Sequence, residues 1–363
     1  MKDNKKYIQI AINEAYKNLG NTFPNPSVGC VLVKNNKIIN KSVTGISGSP
    51  HAERRLFNFL TIDQTESATL YVTLEPCNHH GKNLPCTDII IEHKIKKVVI
   101  GCVDPNKIVS GKGIDALRQN NIEVEVLNDH DALHLHRYFN YYIATNKPYI
   151  TAKLAVSIDG KIALKNGDSK WITNRDSRNL VHLMRSWHDA VMTSIGTVKA
   201  DDPELNCRIK GYQKERIVII LDKNLEIPEN AKLITRQNKS PLWIITSEIA
   251  SLDKIKKLKS LGVRVDVFPL KTFSVNFSQI LEFIASQGIT SIFCEAGSFV
   301  TKLYKEKLIN ELIIFRAQKI MGNDSKSMIG DLSLGSINYD QSINLTKEKL
   351  LYSGDRVEFY EFK

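Results

Sequence analysis

What the 363-residue chain lacks narrows its class before any motif is found. Six cysteines are too few for a disulfide scaffold. Four of them, Cys30, Cys102, Cys207 and Cys294, stand alone in apolar or mixed surroundings, which suits buried free thiols and a reducing cytoplasm. No window approaches 18 uncharged apolar residues, so a membrane-crossing helix is not expected. The start, MKDNKKYIQIAINEAY, is basic but has no apolar stretch of the signal-peptide kind. No low-complexity linker is visible, and neither half of the chain repeats the other. No G-x-G-x-x-G follows a strand-like run, so a Rossmann cofactor site is not supported. Long basic runs interleaved with aromatics are missing too. The net charge of +11 divides into +4 over residues 1–147 and +7 over the rest. An excess spread this evenly points away from nucleic acid as the main partner and toward a phosphorylated small substrate, or simply solubility.

What is present reads as two globular domains. A length of 363 residues exceeds one ordinary core, and 42% hydrophobic with 25% charged residues is normal for a globular protein. Residues 3–19 place Ile8, Ile12, Ala15, Tyr16 and Leu19 at helical spacing. SVGCVLVK then reads as a buried strand, with a turn at Asn35-Asn36 and a second strand from Lys37. HAERRLFNFL, TDIIIEHK and GKGIDALRQNN read as helices, alternating with the strands ATLYVTL, KKVVIGCVD and IEVEVL. That alternation predicts an α/β domain with a mixed sheet. DHDALHLHRYFNYYIAT follows as one helix, whose His134 and His136 lie two apart and so do not share a face. Pro148 opens a fresh strand-and-helix pattern that includes RIVIILD, LWIIT, RVDVFPL, SIFCEAG and ELIIFRA. The expected domains are therefore residues 1–147 and 148–363.

The chemistry concentrates around TLEPCNHHGKNLPCTD. Cys77 and Cys86 are nine apart, wider than a zinc knuckle, but a loop that doubles back at Gly81 and Pro85 can bring them together. His51 and Glu53 lie upstream in PHAE, with His51 and Cys77 26 residues apart. A zinc deaminase needs three protein ligands, one position open for a water whose pKa the metal lowers to about 7, and a carboxylate off the metal to carry protons. His51, Cys77, Cys86 and Glu53 supply that set, and both ligand groups are expected to open helices, where a thiolate is stabilised. Asn25, on a Pro-rich turn before the first strand, offers an amide that can donate and accept at a heterocycle edge or a ribose hydroxyl; the plainer alternative is a turn-forming Asn-Pro.

PNPSVG, HAE, LEPCNHHGKNLPCTD and GCVDPNKIVSGKGIDALRQNNIEVEV resemble the deaminase half of the bifunctional riboflavin-biosynthesis deaminase/reductase family. KLAVSIDGKIA, GDSKWIT, GTVKADDPELNCR and EAGS resemble its reductase half, in the right order over nearly the whole chain. The resemblance implies a cytidine-deaminase-like domain followed by a dihydrofolate-reductase-like α/β domain. It implies zinc held by His51, Cys77 and Cys86, with Glu53 as the proton carrier. It implies NADPH at Ala155, Trp171, Thr197, Asp201 and the segment from Gly297-Ser298. Substrate contacts fall on Ser169, Arg185, Leu205, Arg208 and Glu295. The implied substrate is a pyrimidine ribosyl phosphate that is first deaminated and then reduced along its ribosyl chain. A homodimer through the reductase half is likewise implied.

The chemistry of these positions agrees with the resemblance: Arg185 and Arg208 offer forked donors to a phosphate, and Gly297-Ser298 lets backbone amides approach a cofactor phosphate. Asp201 either assists a proton transfer or only binds. Two segments depart from the family pattern. Thr44 stands where a His is usual, and Lys82-Asn83-Leu84 replaces a more usual Arg-Thr-Pro. Other readings stay open at this point. One is a nucleoside or tRNA deaminase with an unrelated appended domain. Another is a closed structural zinc site in which His79 or His80 is the fourth ligand; an open catalytic site leaves both outside the metal's ligand set.

Overall fold

The computed structural model describes residues 2–79, 84–106, 109–209, 215–235, 241–336 and 342–362. It divides into two units, Met1–Pro148 with Ala285–Thr290, and Tyr149–Ile284 with Ser291–Lys363.

The first unit is built on β1 (Gly29–Lys34), β2 (Lys37–Val43), β3 (Thr69–Leu74), β4 (Lys97–Cys102) and β5 (Glu123–Val126), in the order β2-β1-β3-β4-β5. The sheet is mixed: β1 runs antiparallel to both neighbours, while β3, β4 and β5 are parallel. Its near-continuous apolar strands are those of a sheet covered on both faces. On one side Leu32, Leu70, Val72 and Ile100 pack with Leu56, Phe57, Ile90 and Leu117 from the intervening helices. The helix Lys2–Tyr16 contributes buried Ile8, Ala11, Ile12 and Ala15, and it lies directly on β1. A Cβ at Gly29 would stand 1.9 Å from the Ala11 carbonyl oxygen, so only glycine permits this approach. Gly29→Ala is expected to destabilise the protein by about 1–3 kcal/mol through overpacking, read as a lower denaturant midpoint at unchanged slope.

The single helix expected over 129–145 is two, His130–Leu135 and Arg137–Thr145, divided at His136. His136 is buried, and its Nε2 lies 3.1 Å from the Thr73 hydroxyl, which itself accepts the Gly29 N–H. Burial pushes the imidazole down to about 3, which keeps the ring neutral beside Thr73.

The second unit holds β6 (Tyr149–Val156), β7 (Lys161–Ala163), β8 (Ala190–Ser194), β9 (Ile217–Leu221), β10 (Leu242–Ser247), β11 (Arg264–Phe268), β12 (Ser291–Cys294), β13 (Glu311–Arg316), β14 (Lys326–Ser327), β15 (Ile343–Leu350) and β16 (Arg356–Phe362). Nine of these form one sheet in the order β11-β10-β9-β8-β12-β6-β13-β16-β15, and β7 pairs with β14. From β11 to β13 all neighbours are parallel; β16 and β15 close the sheet antiparallel. The chain moves outward from β6 to β11, returns to insert β12 beside β6, and then places β13 on the far side. In a parallel sheet such a reversal opens a crevice at the carboxyl ends of the strands.

The β15–β16 hairpin was not expected from the sequence, because INLTKEKL carries polar residues on both faces and reads as loop. As an edge strand β15 has no core to meet and needs no apolar face. The helix Arg175–Trp187 has an N-cap residue, Asn174, that makes no side-chain cap of its own. Asp355, just before β16, does that work: it accepts from the Asn174 N–H (2.7 Å), the Asn174 amide (3.0 Å) and the Ser177 hydroxyl (2.6 Å).

Candidate active sites

In the first unit, His51 is the N-cap of the helix Ala52–Phe57 and Cys86 is the first residue of the helix Cys86–Glu92, as the sequence led us to expect. Cys77 lies just beyond the end of β3. The Cys86 and Thr87 amides donate to the Cys77 carbonyl at 3.0 and 3.3 Å, which folds the C-x8-C loop back on itself. Arg54 pins the same return, donating from Nε to the Leu84 carbonyl (3.1 Å) and from Nη2 to the Pro85 carbonyl (3.0 Å). The result is a three-donor cluster. His51 Nδ1 lies 3.3 Å from Cys86 Sγ and 3.5 Å from Cys77 Sγ, and all three donor atoms fall within 4.8 Å of one another. Zinc bond lengths of about 2.3 Å to sulfur and about 2.0–2.1 Å to nitrogen separate tetrahedral S and N donors by about 3.5 Å. The donor set therefore fits zinc in both type and spacing, and three protein donors leave one of four positions open.

His79 is exposed and is not part of the three-donor group; His80, with residues 81–83, lies outside the described residues. Glu53 is buried beside the cluster. Burial, then the charge of Cys77, raises its carboxyl above the usual range, which suits a group that must take up and release a proton. The Cys86 thiol and His51 hydrogen-bond to Cys77 and favour its thiolate. Donating to the Cys77 thiolate in turn raises the His51 imidazole.

Asn25 is exposed on its turn and donates to the Gly48 carbonyl at 3.3 Å. Thr44, which replaces the family's usual His, turns inward: it is buried, and its hydroxyl accepts the Val28 N–H at 2.9 Å. Sequence reasoning passed over two residues that brace this centre. Glu75, the residue after β3, is a buried carboxylate that accepts backbone N–H groups, and Asn78 links Lys112 to Thr87, donating to the carbonyl of the first at 3.4 Å and accepting from the hydroxyl of the second at 2.7 Å.

In the second unit, the expected residues gather at the carboxyl ends of β6, β8 and β12 and the segments that follow them. Glu295, next after β12, is held by its amide on the Met192 carbonyl (2.9 Å) and by the Thr193 hydroxyl donating to its carbonyl (2.7 Å). Its carboxylate receives a bidentate pair from Arg185, at 2.5 Å from Nε and 3.1 Å from Nη2, and Lys153 Nζ stands 3.5 Å away. Burial acts upward on Glu295, but the charges of Arg185 and Lys153 outweigh it and hold the carboxyl down at about 2. Lys153 was not singled out in the sequence; burial lowers its ammonium from the usual lysine range.

Arg185 also donates to the Asn206 carbonyl at 2.9 Å, so the fork that the sequence offered to a phosphate is engaged by Glu295 and the backbone. Arg208 is exposed and pairs with Glu204 at 2.8 Å. Leu205, between them, is buried with a positive φ of 52°. The Ser169 hydroxyl donates to Asp201 at 3.2 Å, and Thr197 lies on the same helix, Ile195–Asp201. Ala155 stands near the end of β6, paired with Phe315. Trp171 is 62% exposed, with the Arg178 guanidinium 4.5 Å from its ring centre. Gly297 adopts a φ of +41°, and a Cβ there would meet only the tip of Ile162 at 3.8 Å, while Ser298 is exposed. This open, glycine-containing turn fits a cofactor phosphate brought against the backbone.

Two family models match the chain: one described as the cytidine and deoxycytidylate deaminase zinc-binding region, over residues 1–102, and one described as the RibD C-terminal domain, over residues 148–357. Riboflavin biosynthesis protein RibD of Aquifex aeolicus is 39% identical over 360 residues, 98% of each chain. The protein of that name from Escherichia coli is 32% identical, covering 89% of each. Among solved structures, Acinetobacter baumannii RibD, form 1, superposes with a TM-score of 0.86 at 31% identity over 100% of this chain and 99% of that one. A Thermotoga maritima protein described as a diaminohydroxyphosphoribosylaminopyrimidine deaminase/5-amino-6-(5-phosphoribosylamino)uracil reductase gives 0.83 at 31% identity, covering 99% of each chain. These matches span both units, so the second is not an unrelated appendage to a nucleoside deaminase. Both units are α/β, with a zinc-binding deaminase domain first and a RibD reductase domain second, and the chain belongs to the RibD family of riboflavin biosynthesis proteins.

Proposed function

We propose that this chain removes the pyrimidine amino group of 2,5-diamino-6-ribosylamino-4(3H)-pyrimidinone 5′-phosphate in its first unit and reduces the ribosyl chain of the product to ribityl, with NADPH, in its second. The observation that carries the first step is the convergence of His51, Cys77 and Cys86 beside the buried Glu53. Zinc, when bound by these three side chains, supplies a water whose pKa is lowered to about 7. Glu53 would carry a proton between the attacking water and the ring nitrogen and departing amine, and its raised pKa equips it to release the proton again. Asn25 can accept from or donate to the heterocycle at the rim.

In the second unit the cofactor supplies the hydride. Ala155, Trp171, Thr197, Asp201, Gly297 and Ser298 would hold it. Ser169, Arg185, Leu205, Arg208 and Glu295 would hold the sugar phosphate. Glu295 fixes Arg185 and Lys153 in place, and Lys153, with its lowered pKa, can give a proton to the sugar oxygen as the ring opens. The direct test incubates purified protein with the diaminopyrimidine phosphate, with and without NADPH, following ammonia release and NADPH oxidation separately. Ammonia release that needs no NADPH, and oxidation that needs prior deamination, is the expected result; absence of either activity refutes that half. Arg208→Ala and Trp171→Ala are expected to impair reduction about 10-fold or more while leaving ammonia release unchanged, Arg208→Ala mainly through KM for the phosphorylated substrate.

The proposed assembly is a homodimer joined through the reductase unit. β15 is an eight-residue exposed edge strand bearing Ile343, Leu345 and Leu350, and a free edge of this kind can pair with a second copy about a twofold axis. A monomer mass in solution light scattering would refute it. Among the described residues no helix is long and apolar enough to cross a membrane. The six cysteines are all free, which supports the proposal of a cytoplasmic location. A small phosphorylated substrate, rather than nucleic acid, is the proposed partner.

A further inference from the structure

Glu75 is a buried carboxylate whose oxygens both face backbone amides. One oxygen accepts the Asp104 N–H at 3.3 Å and the Gly111 N–H at 3.1 Å. The other accepts the Gly113 N–H at 3.0 Å and the Ile114 N–H at 3.3 Å. The helix Lys112–Gln119 begins at Gly111, which has no side chain to cap it, so Glu75 supplies that cap from another strand, where the helix dipole also favours an anion. The packing is close: a Cβ at Gly113 would stand 2.0 Å from the Pro76 carbonyl oxygen. Pro76 and Cys77 follow Glu75 directly, and Asn78 then ties the Lys112 carbonyl to the Thr87 hydroxyl. The strand end that carries Cys77 is thus gripped on both sides of the ligand. Glu75 anchors it to one helix before Cys77, and Asn78 ties that helix to the Cys86 helix after it.

From this geometry we propose that Glu75 is the positioning residue of the deaminase centre, setting where the Cys77 sulfur lies relative to His51 and Cys86. A helix cap alone would need only one or two of the four hydrogen bonds. The bond to Asp104 belongs to the segment leaving β4, and it fixes that segment to the metal-ligand strand rather than to the helix. A neutral amide in place of the carboxylate puts an NH2 group against two N–H donors on one side and releases half of the grip.

The inference rests on the zinc-deaminase reading, and the test separates the two. Full-length wild type and Glu75→Gln are loaded with Co2+ in place of zinc, and the thiolate-to-metal and ligand-field absorption bands are compared. Zinc release to a chromogenic chelator, kcat and KM for ammonia release, and reduction of the deaminated substrate are measured on the same preparations. The expected result for Glu75→Gln is shifted Co2+ bands, zinc release at least 10-fold faster, kcat for deamination down at least 10-fold, and unchanged reduction. A variant that melts at a lower temperature but keeps the wild-type Co2+ spectrum and zinc release rate would reduce Glu75 to a helix cap and overturn the proposal. Loss of both activities would make it a residue needed for folding of the whole chain, with the same consequence. A wild type that binds no metal would instead refute the zinc reading itself.

Discussion

Glu53→Gln abolishes ammonia release, lowering kcat by about 10²–10⁴-fold, while zinc content and reduction of the deaminated intermediate stay at wild-type values. This is the expected result, and three observations fix it. Glu53 is buried beside the three donors but is not one of them, so the amide does not remove a ligand. Glu53 is the second residue of the helix Ala52–Phe57, whose N-cap residue His51 makes no side-chain cap for the substitution to disturb. Glutamine matches the shape but cannot carry a proton, so only the transfer step is lost. The check is metal analysis and two separate assays on one preparation. A variant that deaminates at the wild-type rate would leave Glu53 without a catalytic role.

The second large effect is expected at Glu295. Arg185 and Glu295 side chains are only 12% and 10% exposed, so water does little to screen them. Removing the carboxylate in Glu295→Ala leaves Arg185 and Lys153 as neighbouring buried cations without their anion, at a cost of about 3–5 kcal/mol to the second unit. Reduction should be lost, and deamination should survive in the folded first unit. Urea unfolding followed together with both activities checks this. The pH dependence has a definite sign. The folded carboxyl titrates at about 2, below the unfolded value of about 4.3, so its contribution to stability is fully present above pH about 4.3 and is lost as the pH falls toward 2. The gap in stability between wild type and variant should narrow across that window and be constant above it.

The deaminase ligands were legible because they depend on local order. His51 and Cys86 open helices and Cys77 lies just beyond a strand, and each of those elements announces itself by apolar spacing. The parallel strands of the second unit were legible for the same reason: IVIIL, LWIITS and SIFC are buried almost throughout and mostly apolar. What escaped notice was set by distant partners. Glu75 looks like any acidic residue at a strand end until the Gly111, Gly113 and Ile114 amides are seen to converge on it, although Gly113 was a clue that backbone approaches closely there. His136 sits in an unbroken helical pattern, and spacing alone does not show that it is buried against the Thr73 hydroxyl across the core. Lys153 lies in a strand with apolar neighbours, and its role depends on a carboxylate 142 positions later. Arg185 was singled out for its forked donors, but a sequence cannot say that the fork faces Glu295.

The Asp355 cap gives the two units different histories during synthesis. By residue 126 the ribosome has delivered every zinc-donor residue and every strand of the first sheet. The helix that carries Arg185 is complete by residue 187, yet the carboxylate that holds its first turn arrives 168 residues later. At about 5–20 residues per second that interval lasts roughly ten to thirty seconds. Throughout it the nascent chain can own every strand of the first sheet while the helix that carries Arg185 still waits for its mooring.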